Sequence, residues 1–97
     1  MSVRLVAYDM NKERRGWLND RNKLLAHIKK TWAWAKLSES AYAIQTQSSA
    51  SAIKQALRQY LDDNDTLYVI TLARPMSGWG FPPVNEWLVE KLGPAEG

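Results

Sequence analysis

The chain has 97 residues, no cysteine and one histidine, and its 13 Lys/Arg against 10 Asp/Glu give a net charge of +3. A chain of this length holds one core and buries roughly two thirds of the surface its unfolded form exposes. The lack of cysteine excludes disulfides, thiolate nucleophiles and cysteine metal sites, and a lone histidine excludes multi-histidine zinc centres.

Val3 to Asp9 predicts the first strand, apolar on both alternating sets, which suits a central strand rather than an edge. A charged loop follows, Lys12-Glu13-Arg14-Arg15-Gly16. Trp17, Leu18, Arg21, Leu24, Leu25, Ile28 and Trp32 then recur at helical spacing, with Lys23, His27, Lys29 and Lys30 mostly on the opposite side. Asn19 or Asp20 could cap a shorter version of this first helix. Trp34 to Leu37 and Ala41 to Gln45 predict two strands paired antiparallel through the polar loop Ser38-Glu39-Ser40.

Ser49 is the expected N-cap of a second amphipathic helix built on Ile53, Ala56, Leu57, Tyr60 and Leu61, which Asp62-Asp63-Asn64-Asp65 stops. Thr66 to Leu72 alternates as the fourth strand. Arg74 to Pro83, with its Gly-Trp-Gly and Pro-Pro segments, cannot continue it, and a short third helix from Val84 to Leu92 follows.

Strand, helix, strand, strand, helix, strand is the split βαβ plan: an α+β, ferredoxin-like domain over residues 1–97, with its core in 3–73 and a C-terminal loop and helix in 74–97. Its four-stranded antiparallel sheet carries two helices on one face. The other face stays apolar and needs a cover, either the C-terminal segment or a second copy, and a homodimer is the economical solution, with Trp79, Phe81 and Trp87 at its edge.

Residues 1–36 hold nine Lys/Arg against three Asp/Glu, whereas 37–97 hold four against seven. An anionic partner, RNA or DNA, would meet the first part, although a solvated helix face explains the same charges. Asp9 is the best candidate for chemistry, because a carboxylate where a strand runs into a basic loop suits a hard metal ion or a phosphate ester. An aspartate there can also simply hydrogen-bond the next turn. In the adjoining loop, Lys12, Arg14 and Arg15 are the expected phosphate contacts.

The remaining candidates have structural explanations. His27 falls on a polar helix face and is expected to be a solvated side chain, Trp17, Trp32 and Trp87 fall at core-like spacings, and the 62–65 acidic cluster has turn chemistry. Trp34 and Trp79 stay open between packing and base stacking. The serines have no histidine in view, so serine catalysis is not expected. No apolar run reaches the length of a membrane span, and the N-terminus has a strand pattern where a signal peptide would be apolar, so a cytoplasmic protein with no membrane association is expected.

Tyr8-Asp9-Met10-Asn11-Lys12, Ser49-Ala50 with Ile53-Lys54, and Asp62, Asn64-Asp65, Leu67, Val69 and Leu72 together resemble small bacterial SinR-like proteins. These are related to the second CRISPR-associated protein and to the virulence-associated protein D ribonucleases. The resemblance covers roughly residues 3–73 and implies a ferredoxin-like homodimer in which Asp9 meets its symmetry mate and the pair shares a magnesium ion. It further implies either a magnesium-dependent nuclease, an endoribonuclease among the options, or a non-catalytic scaffold for nucleic acid or a protein partner. The chain departs from that pattern in its very short loop between the second and third strands and in the Gly-Trp-Gly and Pro-Pro segment that replaces a terminal strand.

Two other functions on the same plan fit poorly. The third strand has one aromatic and no charge where an RNA-recognition motif has a basic-aromatic signature, and Met10 to Gly16 has one glycine where an acylphosphatase needs a phosphate cradle.

Overall fold

A computed structural model of the chain describes residues 1–93 and contains β1 (Ser2–Asp9), α1 (Trp17–Thr31), β2 (Ala33–Ser38), β3 (Ala41–Thr46), α2 (Ala50–Arg58), β4 (Thr66–Leu72) and α3 (Pro82–Lys91). The strands form one sheet in the order β2-β3-β1-β4, with every neighbouring pair antiparallel. This is the ferredoxin-like α+β arrangement, and the most apolar strand, β1, lies inside the sheet as its two-sided pattern requires.

Strand alternation divides the apolar residues between two faces. Val6 and Tyr8 of β1, Tyr42 and Ile44 of β3, and Leu67 and Val69 of β4 pack with Leu24 and Ile28 of α1 and Ile53 and Leu57 of α2. The opposite set, Val3, Ala43 and Leu72, meets Val84, Trp87, Leu88 and Leu92 from the C-terminal segment. Thus α3 is the cover for part of the second face.

Its reach is limited. Further along the same face Tyr68 and Ile70 remain 65% and 52% exposed, beside half-buried Leu5 and Ala7, to which register pairs Ile70 and Tyr68 respectively. Arg74 secures α3 by donating from Nε to the Leu92 carbonyl (3.1 Å) and from Nη2 to the Val89 carbonyl. These acceptors belong to the carbonyl-rich end of the helix, where a cation also suits the helix dipole.

Several local expectations need adjustment. α1 begins after Gly16, whose φ of 81° lies in the left-handed region that glycine enters without steric cost, so neither Asn19 nor Asp20 caps it. Leu18, placed by its spacing on the apolar side, is 52% exposed. α2 ends at Arg58, and Tyr60 and Leu61 pack from the following turn, held by 3.1 Å bonds from their N–H groups to the carbonyls of Leu57 and Arg58. Ser49 does cap α2, its hydroxyl accepting from the Ala52 N–H at 3.0 Å. No helix among the described residues is long and apolar enough to cross a membrane.

Candidate functional site at the end of the first strand

Two connections converge where β1 ends: the loop into α1 and the hairpin turn at Glu39 and Ser40. The β1–β3 register sets Ala7 opposite Ala41, so the turn before Ala41 must lie beside Tyr8 and Asp9. It is fastened there by the Tyr8 N–H to the Ser40 carbonyl (3.0 Å) and by the Tyr8 hydroxyl to the Glu39 carbonyl (2.6 Å). Burial pushes the Tyr8 phenol above its usual range, a rise only partly opposed by nearby Arg21, so it stays protonated and able to donate.

The result is a cleft of about 310 Å³ lined by Tyr8, Asp9, Lys12, Trp17, Arg21 and Glu39, with Met10 and Ser40 completing it. Two carboxylates and two cations therefore share one opening. Lys12 Nζ sits 5.8 Å from the Trp17 ring centroid, within cation–π range, so the tryptophan flanks the cleft instead of joining the core. Asp9 is exposed and its strand partner is Thr66. Sequence reasoning singled out Asp9 and Lys12 but missed Glu39 and Arg21, whose proximity depends on strand register rather than on local pattern.

Arg14 and Arg15 have different surroundings. Arg14 is bound within the fold: Nε and Nη2 donate to Asp65 Oδ2 at 3.2 and 2.7 Å, and Nη1 donates to Asp20 Oδ2 at 2.7 Å. Asp62 adds a carboxylate 3.8 Å from Nε. Asp65, whose side chain is wholly inaccessible, also accepts the Asn11 N–H at 2.8 Å and the Asp62 N–H at 3.0 Å. Burial works to raise its carboxyl, yet the donors from Arg14 and the two amides outweigh it and hold it below the ordinary carboxylate range. Its neighbour Arg15 remains exposed.

The other sequence candidates separate in the same way. His27 is half-buried, with Nδ1 2.9 Å from the Tyr60 hydroxyl, and is not simply a solvated side chain. Trp32 and Trp87 pack against the two cores, Trp34 is 39% exposed under Lys29 (4.8 Å to the centroid), and Trp79 is fully exposed. Asp62, Asn64 and Asp65 form the turn before β4, where the Asn64 N–H donates to Asp62 Oδ1 at 2.8 Å.

No family model matches the chain. Its fold and the chemistry of the cleft are therefore what a functional assignment rests on.

Proposed function

We propose that the protein is a nucleic-acid-directed homodimer that works through the cleft at the end of β1. The observation that carries this reading is the meeting of Asp9 and Glu39 with Lys12, Arg21 and the Trp17 ring in one opening. Cations there neutralise phosphate, and an aromatic face offers a base a stacking surface that tolerates any sequence. Exposed Arg15 extends the positive edge, while Arg14 serves the fold.

The donor set fits magnesium, since Asp9 and Glu39 supply hard oxygen ligands and this ion is commonly held by one or two carboxylates plus water. Bound there, magnesium would supply Lewis-acid stabilisation and an activated water for phosphodiester hydrolysis. The chain's own part is to hold the strand with Lys12 and Arg15 and to present Asp9. By alternation Asp9 belongs to the same sheet face as Leu5 and Ala7, next to the apolar area of Tyr68 and Ile70 that α3 leaves uncovered. A second copy seated on that area would bring the two Asp9 residues towards each other, which supports the shared-ion arrangement.

A non-catalytic binding or scaffold role is the second reading. Lys12 and Arg21 favour it, because both can hold a phosphate in this cleft without an ion. Magnesium-dependent cleavage of single-stranded RNA and DNA by the wild type and Asp9→Asn decides between them. The nuclease reading requires wild-type cleavage that Asn, equal in shape but uncharged, abolishes with folding intact. Absence of wild-type cleavage with binding retained selects the scaffold.

A further inference from the structure

The second half of α1 carries a basic site that the cleft does not use. Lys23, His27 and Lys30 recur at i, i+4 and i+7, which puts them on one side of a helix with about 3.6 residues per turn. With Ala26, Thr31 and Tyr60 they line a cavity of about 420 Å³. Among the described residues no carboxylate lines it, in contrast to the β1 cleft, where Asp9 and Glu39 offset the cations. Both lysines are exposed, and neither takes part in an ion pair among the described residues.

The imidazole in this cavity is held from two sides. Its Nδ1 lies 2.9 Å from the Tyr60 hydroxyl, and its ring centroid lies 5.7 Å from those of both Trp32 and Tyr60. When Nδ1 accepts from the Tyr60 hydroxyl, Nε2 carries the ring hydrogen and can donate it to a ligand. An oriented imidazole, a threonine hydroxyl and two unpaired ammonium groups make a donor-rich, acceptor-poor pocket, and phosphate oxygens are the acceptors that such a set favours.

The placement along α1 narrows the ligand further. Lys23 and Lys30 are separated by about 10 Å along the helix axis, at about 1.5 Å per residue, a span better matched by successive phosphates than by one. α1 also starts at the β1 cleft, which its first residue, Trp17, lines. The cleft and the pocket lie about a third of a turn apart around α1, so a strand that serves both crosses the helix obliquely. We propose that the Lys23–His27–Lys30 pocket is a second phosphodiester-binding site, which engages the backbone of the same nucleic-acid strand that occupies the β1 cleft. This rests on the function proposed above.

The chain's single histidine makes the test direct, because one imidazole gives one set of ring C–H signals in NMR spectra of the intact protein. The probes are a uridylate dodecamer and inorganic phosphate at matched phosphate concentration, with the Trp17 indole signal reporting on the β1 cleft. We expect the RNA to move both the His27 and the Trp17 signals saturably. In Lys23→Gln/Lys30→Gln we expect affinity near 0.1 M salt to fall about 25-fold, from a loss of about 0.7 in salt slope for each of two phosphate contacts. The His27 response should shrink in that variant, while Trp17 still responds at saturation.

If Trp17 responds and His27 does not, the second site is overturned and the cleft reading stands. If neither responds, both fall. An equal His27 response to inorganic phosphate would identify a small-anion site and overturn the assignment to a strand. An unchanged His27 response and affinity in the lysine variant would also overturn it.

Discussion

Asp65 and Asp9 show how differently two aspartates can serve the same small fold. Asp65 is out of solvent and accepts from two nitrogens of Arg14 and from two backbone amides, so Asp65→Ala leaves four donors without their acceptor. Such a loss should cost about 3 kcal/mol, measured as a drop in urea-unfolding free energy. The carboxyl of Asp65 titrates lower in the folded protein than its reference value of 3.8. Its contribution is therefore complete above about pH 4 and is lost as pH falls through the folded value. In Asp65→Ala the fall in stability below about pH 4 should be shallower than in the wild type, as unfolding midpoints across that range will show.

Asp9 is exposed and belongs to the cleft, so Asp9→Asn should leave the melting temperature nearly unchanged. Asn keeps a side-chain acceptor, so the turn role is tested by Asp9→Ala, where a loss of roughly 0.5–2 kcal/mol would mean that Asp9 organises the turn and does not serve a ligand.

At the scale of elements, α3 packs on the second face through Val84, Trp87 and Leu88, and one side chain, Arg74, ties down its C-terminal end. Arg74→Ala removes the bonds to the Val89 and Leu92 carbonyls, and charged hydrogen bonds of this kind contribute about 1.5–3 kcal/mol. Hydrogen exchange should therefore speed up in α3 while α1 and α2 stay protected. Uniform acceleration through all three helices would contradict the idea that α3 is separately anchored.

The same distinction explains what was legible in the sequence. Strand alternation, helical spacing and the Ser49 cap depend on near neighbours, and they led to the element order and to the central place of β1. The partners of Arg14 were not legible, because Asp65 lies 51 residues away and has the local signature of an ordinary turn. Glu39 joins Asp9 only through the pairing of β1 with β3, a register that no local pattern of residues contains. His27 looked solvated because helical spacing cannot reveal Tyr60 arriving from the turn after α2. How far α3 covers the second face likewise depended on the path of residues 73–81.

For the whole molecule, the two sheet faces divide the work. One is closed by α1 and α2, and the other is closed by α3 only in part, which leaves Tyr68 and Ile70 open next to the strand that ends in Asp9. If a second copy covers this area, light scattering will give a dimer, and Ile70→Lys will convert it to a monomer with a similar fold, because a charge cannot be buried unpaired at the contact. A monomeric wild type at roughly tens of micromolar would remove the basis for a shared ion.

The central claim is that nucleic acid binds at the end of β1, and the salt dependence of that binding tests it most directly. Anisotropy of a labelled single-stranded RNA should be followed with wild type and Lys12→Ala/Arg15→Ala over a range of salt. Single strands lose about 0.7 in slope for each phosphate contact removed, so the double variant should bind more weakly, with a log–log slope shallower by about 1.4. Wild-type protein that fails to bind at low salt, or a variant with the wild-type slope and affinity, would contradict the account.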